Sequence, residues 1–295
     1  MAAYSIIIAT YERAAALGDA LASVAAQTRA PETIVIVDAS RGDESRAVAE
    51  SFDLPIIYRR AEQTSAALQR NQGSREVETP LLAFIDDDVV LEPDVFQKLC
   101  AVFDSLPETG GVAARMNGAS HRAPRGALWW YYRLQAGFAD ETYGGRLFGP
   151  GINCFPCYER AGDELIPADW LNLGCVLFRS DLFKGELFPN FDGYSHMEDV
   201  HLSARIGRSH RLFFHPTARY DHFPSESPAK QDRFRLGQMR TRNQTEIARE
   251  ILGLRGWRLA VKGILHRLFI SLFLARFRPA GWQRELAGTW SSTAP

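Results

Sequence analysis

Cysteine is scarce in this 295-residue chain, with four residues at Cys100, Cys154, Cys157 and Cys175. Cys154 and Cys157 form a single CxxC, and no second CxxC or HxxxH stands at zinc-finger spacing. That argues against a metal knuckle and for free thiols in a reducing compartment. No charged, then apolar, then small-residue leader opens the chain, so no signal peptide is expected. The longest apolar stretch near the C-terminus, Leu268 to Ala275, is too short to span a bilayer. Together these absences lead to the expectation of a cytoplasmic protein. Net charge is nearly absent too, at −1, which argues against wholesale nucleic-acid binding. The balance is uneven, however: Arg240 to Arg284 holds ten Lys/Arg against two Glu, a local +8 that leaves −9 elsewhere.

What is present is apolar material, 46% of residues, enough for a sizeable core and against disorder. The first hundred residues alternate between strand-like and helix-like patterns. YSIIIA (Tyr4 to Ala9), TIVIV (Thr33 to Val37), a weaker run at Ile56 to Tyr58, and LLAFI (Leu81 to Ile85) read as buried strands. Helical spacing appears over Ala14 to Ala26 and around Thr64 to Arg75. Such alternation predicts an α/β fold with a largely parallel sheet covered on both faces. Ligands sit at the carboxyl ends of the strands in such sheets, where Asp38 and Asp86 both stand. Residues 115 to 165, rich in Gly, Pro and aromatics, read as loops. A boundary near Pro228 divides the chain into 1–228 and a basic helical region, 229–295.

The densest chemical signal is FIDDD, three consecutive aspartates behind a buried strand. A strand end carrying D-x-D offers hard oxygen ligands to Mg²⁺ or Mn²⁺, and substrate phosphates fill the remaining positions. The cation then offsets the repulsion among the acids. Acidic capping of a helix starting near Glu92 accounts for one aspartate but hardly for three.

SIIIATYER, IVIVDAS, RNQG (Arg70 to Gly73), FIDDD, GCVLFRSDLF, HMEDVHLSARIG and PTARYDH occur in that order over residues 4 to 222. In this order and spacing the chain resembles the family 2 glycosyltransferases of the GT-A fold. The resemblance implies an inverting, metal-dependent transferase that uses a UDP-, dTDP- or GDP-linked sugar. It implies that Thr10, Tyr11, Glu12 and Arg13 line the nucleotide pocket and that Asp38 reads the base edge. The family's DDGS-like turn is VDAS here, so its first acid is missing. Arg70 would face the nucleotide, Asp86 the ribose or donor sugar, and Asp88 and His222 the metal. Asp87 lies between those acids and points elsewhere, so it is expected to tolerate Asn best.

Inverting transfer needs a base for the acceptor hydroxyl's proton and stabilisation of the departing diphosphate. In the family the base belongs to the acidic pair, here Glu198-Asp199, and Asp199 is the expected base. The same pair also reads as the acidic first turn of a helix. Trp170 is equally a candidate acceptor platform or a core tryptophan. His196 is placed in the acceptor site, and Asp192 in support of its loop. The aromatic burst Trp129 to Tyr132 reads as ordinary packing.

From Trp257 on, apolar residues recur at helical spacing with arginines largely elsewhere. A basic amphipathic helix of this kind can lie on an anionic membrane surface, or it can dock on the core or on a second subunit as a homodimer. The acceptor class expected is a glycan or lipid-linked glycan. Two other readings stand: a sugar-1-phosphate nucleotidyltransferase, although ATYERAAALG lacks the Gly-rich basic loop, and an inactive nucleotide-binding scaffold.

Overall fold

The computed structural model describes residues 2–184, 187–191, 196–224 and 231–291. The chain divides into two compact units, Met1–His121 with Phe155–Pro224, and Arg122–Cys154 with Ser225–Pro295. These units differ from a division at 228 by residues 122–154, which group with the C-terminal helices. The expected boundary at Pro228 and the expected loop residue Asp192 lie outside the described residues.

In the first unit, strand β1 (Tyr4–Thr10) leads through helix α1 (Ala14–Ala25) to β2 (Thr33–Asp38), and α2 (Glu44–Glu50) leads to β3 (Ile56–Arg60). Helix α3 (Ala66–Ser74) precedes β4 (Leu81–Asp86) and β5 (Val89–Leu91), and α4 (Val95–Ser105) precedes β6 (Thr109–Met116). The second unit contributes α5 (Ala127–Ala136), β7 (Leu147–Phe148) and β8 (Ile152–Asn153). The first unit resumes with β9 (Ile166–Ala168), β10 (Cys175–Arg179), α6 (Glu198–Ile206) and β11 (Arg211–His222).

Among the described residues one sheet runs β3-β2-β1-β4-β10-β6-β11-β5, with β9 added beside β11. Its first four strands are mutually parallel, whereas β10 runs antiparallel to both of its neighbours. Ile6, Ile7, Ile8 and the stretch Ile34 to Val37 are fully buried. Continuous β-branched runs therefore reflect strands covered on both faces. Helix α3 lies close on this sheet because Gly73 has no side chain: a Cβ there would stand 2.8 Å from Ile7 Cγ2 and 3.2 Å from Val37 Cγ2.

In the second unit α7 (Arg233–Glu250), α8 (Gly256–Phe277) and α9 (Trp282–Ser291) complete the chain. Helices α7 and α9 meet through glycines: a Cβ on Gly288 would collide with Phe234 O, and one on Gly237 with Glu285 O. The buried Glu285 carboxylate is held by Arg233 at 2.8 Å and Arg240 at 2.9 Å. Helix α5 forms where loops were expected, between the positive-φ residues Gly126 and Gly137. Its Trp129, Tyr131 and Tyr132 pack on a buried cluster that includes Tyr143 and Phe148. All four cysteines are buried, and none forms a disulfide among the described residues. No helix among the described residues is long and apolar enough to cross a membrane.

Gly73→Ala tests the approach of α3 to the sheet. Alanine favours the helix by about 1 kcal/mol over glycine, but overpacking against Ile7 and Val37 costs about 1–3 kcal/mol. The expected outcome is a lower urea midpoint, and a higher one would show that the helix has room to spare.

Candidate active site

The sheet register places Thr10 beside Asp38, Asp38 beside Arg60, and Ala9 beside Asp86 along one carboxyl edge. The ends of β1 and β2 are tied by the buried Gln69 of α3, whose Nε2 donates to Thr10 O at 2.9 Å and Val37 O at 2.8 Å. Two clusters of charge are built on this edge.

The first surrounds Asp38, which is fully buried. One carboxylate oxygen accepts from the Ser40 backbone N–H at 2.7 Å and from the Ser40 hydroxyl. The other accepts from the Tyr58 hydroxyl and from Arg60 Nη1 at 3.1 Å. A carboxylate has about four acceptor positions, so Asp38 is saturated by the protein. Ser40 Oγ in turn accepts from the Glu12 N–H at 2.7 Å, and Glu12 Oε1 accepts from the Arg41 N–H at 3.0 Å. Glu12 has φ +54°, a left-handed conformation that this reciprocal pair of bonds holds in place. Tyr11, beside it, is 43% exposed.

The second cluster starts from the three aspartates. Asp87 is 4% exposed and turns toward β1, where Oδ2 accepts from the Thr10 hydroxyl at 2.7 Å and Oδ1 from Arg13 Nη1 at 3.0 Å. Arg13 also reaches Asp88 Oδ2 at 3.1 Å. Burial pushes the Asp87 carboxyl up to about 6, against the pull of Thr10 and Arg13. The middle acid is thus fixed to the loop after β1 rather than left without a partner.

Asp86 and Asp88 face another partner. Strand β11 pairs antiparallel with β5, His222 opposite Val89, and the Phe223 N–H donates to Asp88 O at 2.8 Å. That pairing brings His222 Nε2 to 3.1 Å from Asp88 Oδ1. One donor atom from each of Asp86, Asp88 and His222 lies within 4.8 Å of the others. Two carboxylates and an imidazole at that separation fit a divalent cation such as Mn²⁺ or Mg²⁺.

Arg70 links this group to the acidic pair. It is 7% exposed, donating through Nη2 to Asp86 at 2.8 Å and through Nη1 to Glu198 at 3.0 Å. Glu198 and Asp199 open α6, directly after Met197 in a left-handed conformation at φ +69°. Asp199 Oδ1 accepts from the Val200 N–H at 2.8 Å. Burial raises both carboxyls above the ordinary acid range, outweighing Arg70, and the Asp86 charge raises Asp199 further. The helix is anchored by Ser203, which accepts from the Leu171 N–H at 2.8 Å and donates to Asp199 O at 2.6 Å.

Trp170 is 1% exposed, with Phe155 and Phe214 packed edge-on at ring-centroid distances of 5.2 and 5.8 Å. Of the two readings of this residue, the structure supports the core tryptophan, since covered ring faces offer no stacking surface for a sugar. His196 is half-buried, two residues ahead of α6. Sequence reading passed over Tyr58, Arg60 and Gln69. Arg60 ends β3 at the register position of Asp38, a signal available once the strands are aligned.

A parallel α/β sheet with acids gathered at its carboxyl edge, continued by an antiparallel β10, defines the GT-A class of fold. The model of glycosyl transferase family 2 matches residues 5–155, and the chain belongs to that family. Validoxylamine A glucosyltransferase of Streptomyces hygroscopicus subsp. limoneus is 34% identical over 103 residues, 33% of this chain and 23% of that protein. Glucosyl-dolichyl phosphate glucuronosyltransferase of Haloferax volcanii is 28% identical over 113 residues, 37% of this chain and 36% of that one. The matched segments span well under half of either relative. Among solved structures, mannosyltransferase PcManGT from Pyrobaculum calidifontis in complex with GDP-Man and Mn²⁺ aligns with TM-score 0.58 at 17% identity, covering 99% of this chain and 74% of that one. S. aureus TarS 1–349 aligns with TM-score 0.57 at 14% identity, covering 92% and 72%. At such identities the likeness is one of fold.

Removing Arg70 leaves Glu198 buried without its cation, a change that costs about 3–5 kcal/mol in comparable buried pairs. Arg70→Met is expected to lower the unfolding free energy by about 3 kcal/mol, and adding Glu198→Leu should recover part of the loss. Denaturant titration of the single and double variants checks this. A single variant as stable as the parent would contradict it.

Proposed function

We propose that this chain is an inverting glycosyltransferase. It moves a sugar from a nucleotide-diphospho-sugar to an acceptor hydroxyl, carried by a glycan or a lipid-linked glycan. The observation that carries this reading is the convergence of Asp86, Asp88 and His222 with the Arg70–Glu198–Asp199 chain on one strand edge. A divalent cation held by Asp86, Asp88 and His222 would supply charge stabilisation for the departing diphosphate. Thr10, Arg13 and Asp87 shape the loop that lines the nucleotide side. With its own carboxylate saturated, Asp38 acts by holding the Ser40 turn and Arg60, and that turn presents the polar groups facing the base.

Asp199 accepts the acceptor hydroxyl's proton as the hydroxyl attacks the anomeric carbon. A base works best with a pKa near the working pH, and burial moves Asp199 in that direction. Arg70 positions this end of the site by holding Asp86 and Glu198 at fixed separation. His196 lies on the acceptor side, next to the start of α6.

Asp199→Asn is expected to reduce transfer by about 10²-fold or more, while nucleotide binding with Mn²⁺ stays near the parent level. Loss of nucleotide binding would assign the residue a structural role. The base acts deprotonated and its pKa is raised, so the acid limb of the rate profile should lie above the ordinary Asp value of about 4. Activity falls as pH drops through that limb. A screen of nucleotide sugars that measures released nucleotide diphosphate identifies the donor. Thermal protection by UDP, GDP or dTDP with Mn²⁺ or Mg²⁺ should reach about 2.7 kcal/mol at one hundred times Kd. Failure of all three nucleotides to protect would overturn the donor-site reading.

A further inference from the structure

The second unit contains a cavity of about 800 Å³ that the transfer chemistry does not use. Arg249, Arg255 and Arg267 line it, against one carboxylate, Glu250. Leu259, Ala260, Ile264 and Trp290 give it apolar walls. A lining that combines arginines with aliphatic and aromatic surface suits a ligand that carries both anionic and apolar groups.

His266 also stands on the lining. Its Nδ1 lies 2.8 Å from the Tyr131 hydroxyl, whose oxygen already accepts from Gln135 Nε2 at 3.3 Å. Burial pushes His266 down to about 4, so the ring is neutral. The Nε2 atom is buried with no protein partner among the described residues.

The surface beside the cavity has the same dual character. Trp257, Val261, Ile264, Leu268 and Leu272 form one stripe of α8, each between 46% and 73% exposed. Ile264 belongs both to this stripe and to the cavity wall. Arg255 and Arg258 stand exposed at the start of the helix, and Arg276 and Arg278 at its end. The surrounding segment, Arg240 to Arg284, carries +8. An apolar stripe bracketed by guanidinium groups is complementary to the interface of an anionic bilayer.

We propose that the C-terminal unit binds an anionic phospholipid surface, taking a lipid phosphate into the arginine-lined cavity and laying the exposed stripe of α8 against the acyl chains. The proposal stands apart from sugar transfer, since its readout needs no donor.

The test uses the full chain and two kinds of vesicle, phosphatidylcholine alone and an equimolar mixture with phosphatidylglycerol. Co-sedimentation is expected with the anionic vesicles, weakening with added salt, and little with phosphatidylcholine alone. Inorganic phosphate at the same phosphate concentration should not displace the chain from the lipid. Gly263 lines the cavity, and a Cβ there meets nothing within 4 Å, so Gly263→Leu adds apolar bulk to the lining. That variant should keep its helical circular dichroism and lose most of its retention. Arg255→Gln should lose roughly fivefold, as for one charge near an anionic surface. Leu272→Asp should reduce retention as well. Equal partitioning on the two compositions, displacement by inorganic phosphate, or undiminished binding by Gly263→Leu would overturn the proposal. A dimer in light scattering that Leu272→Asp dissolves, with no vesicle binding by the parent, would assign the stripe to a second copy and overturn it too.

Discussion

One buried guanidinium determines the arrangement of the site. Arg70 spans the gap between the end of β4 and the start of α6. Those two elements are far apart in the chain and carry unlike chemistry, so each needs a fixed counterpart. Desolvation makes an unpaired carboxylate at either place expensive. Arg70 can reach both only because α3 lies so close to β1 and β2, and that closeness depends on Gly73. Around it, Asn71 exchanges a pair of 3.1 Å hydrogen bonds with the Phe188 backbone, and Gln72 bonds the Arg60 carbonyl at 2.9 Å. The short RNQG stretch is therefore a bracket between sheet, loop and acidic pair.

The same balance recurs along the strand edge. Asp38 is matched by Arg60, Asp87 and Asp88 by Arg13, and Asp86 and Glu198 by Arg70. Three arginines, one before α1, one at the end of β3 and one within α3, thus hold five carboxylates. Repulsion among the consecutive aspartates is eased by splitting their directions: Asp87 turns to β1, while Asp86 and Asp88 turn to His222. Burial differs accordingly, since Asp86 is the most exposed of the three.

Much of the first unit was legible in the sequence because its strands are buried on both faces and so read as unbroken β-branched runs. Helix α1, expected over Ala14 to Ala26, spans Ala14–Ala25, and the weak third strand extends to Arg60. The middle of the chain was not legible. Helix α5 is built from Trp-Trp-Tyr-Tyr, residues of modest helix propensity, and its stability comes from aromatic packing that no local pattern reveals. Trp170 shows the same limit, because exposure is a tertiary property. Tyr58 and Arg60 escaped notice for a third reason: their role comes from lateral register between strands. The acids themselves stood out, since three carboxylates behind a buried strand need a cause.

The antiparallel pairing of β11 with β5 has a consequence for the order of assembly. Asp88 and His222 stand far apart in the sequence, and β11 reaches β5 only across that separation. Contacts of such long sequence separation form late, because loop-closure entropy is spent before they return anything. A nascent chain that has released only β1 through β5 carries the aspartates but not the imidazole. The three-residue cluster is therefore a property of the finished sheet.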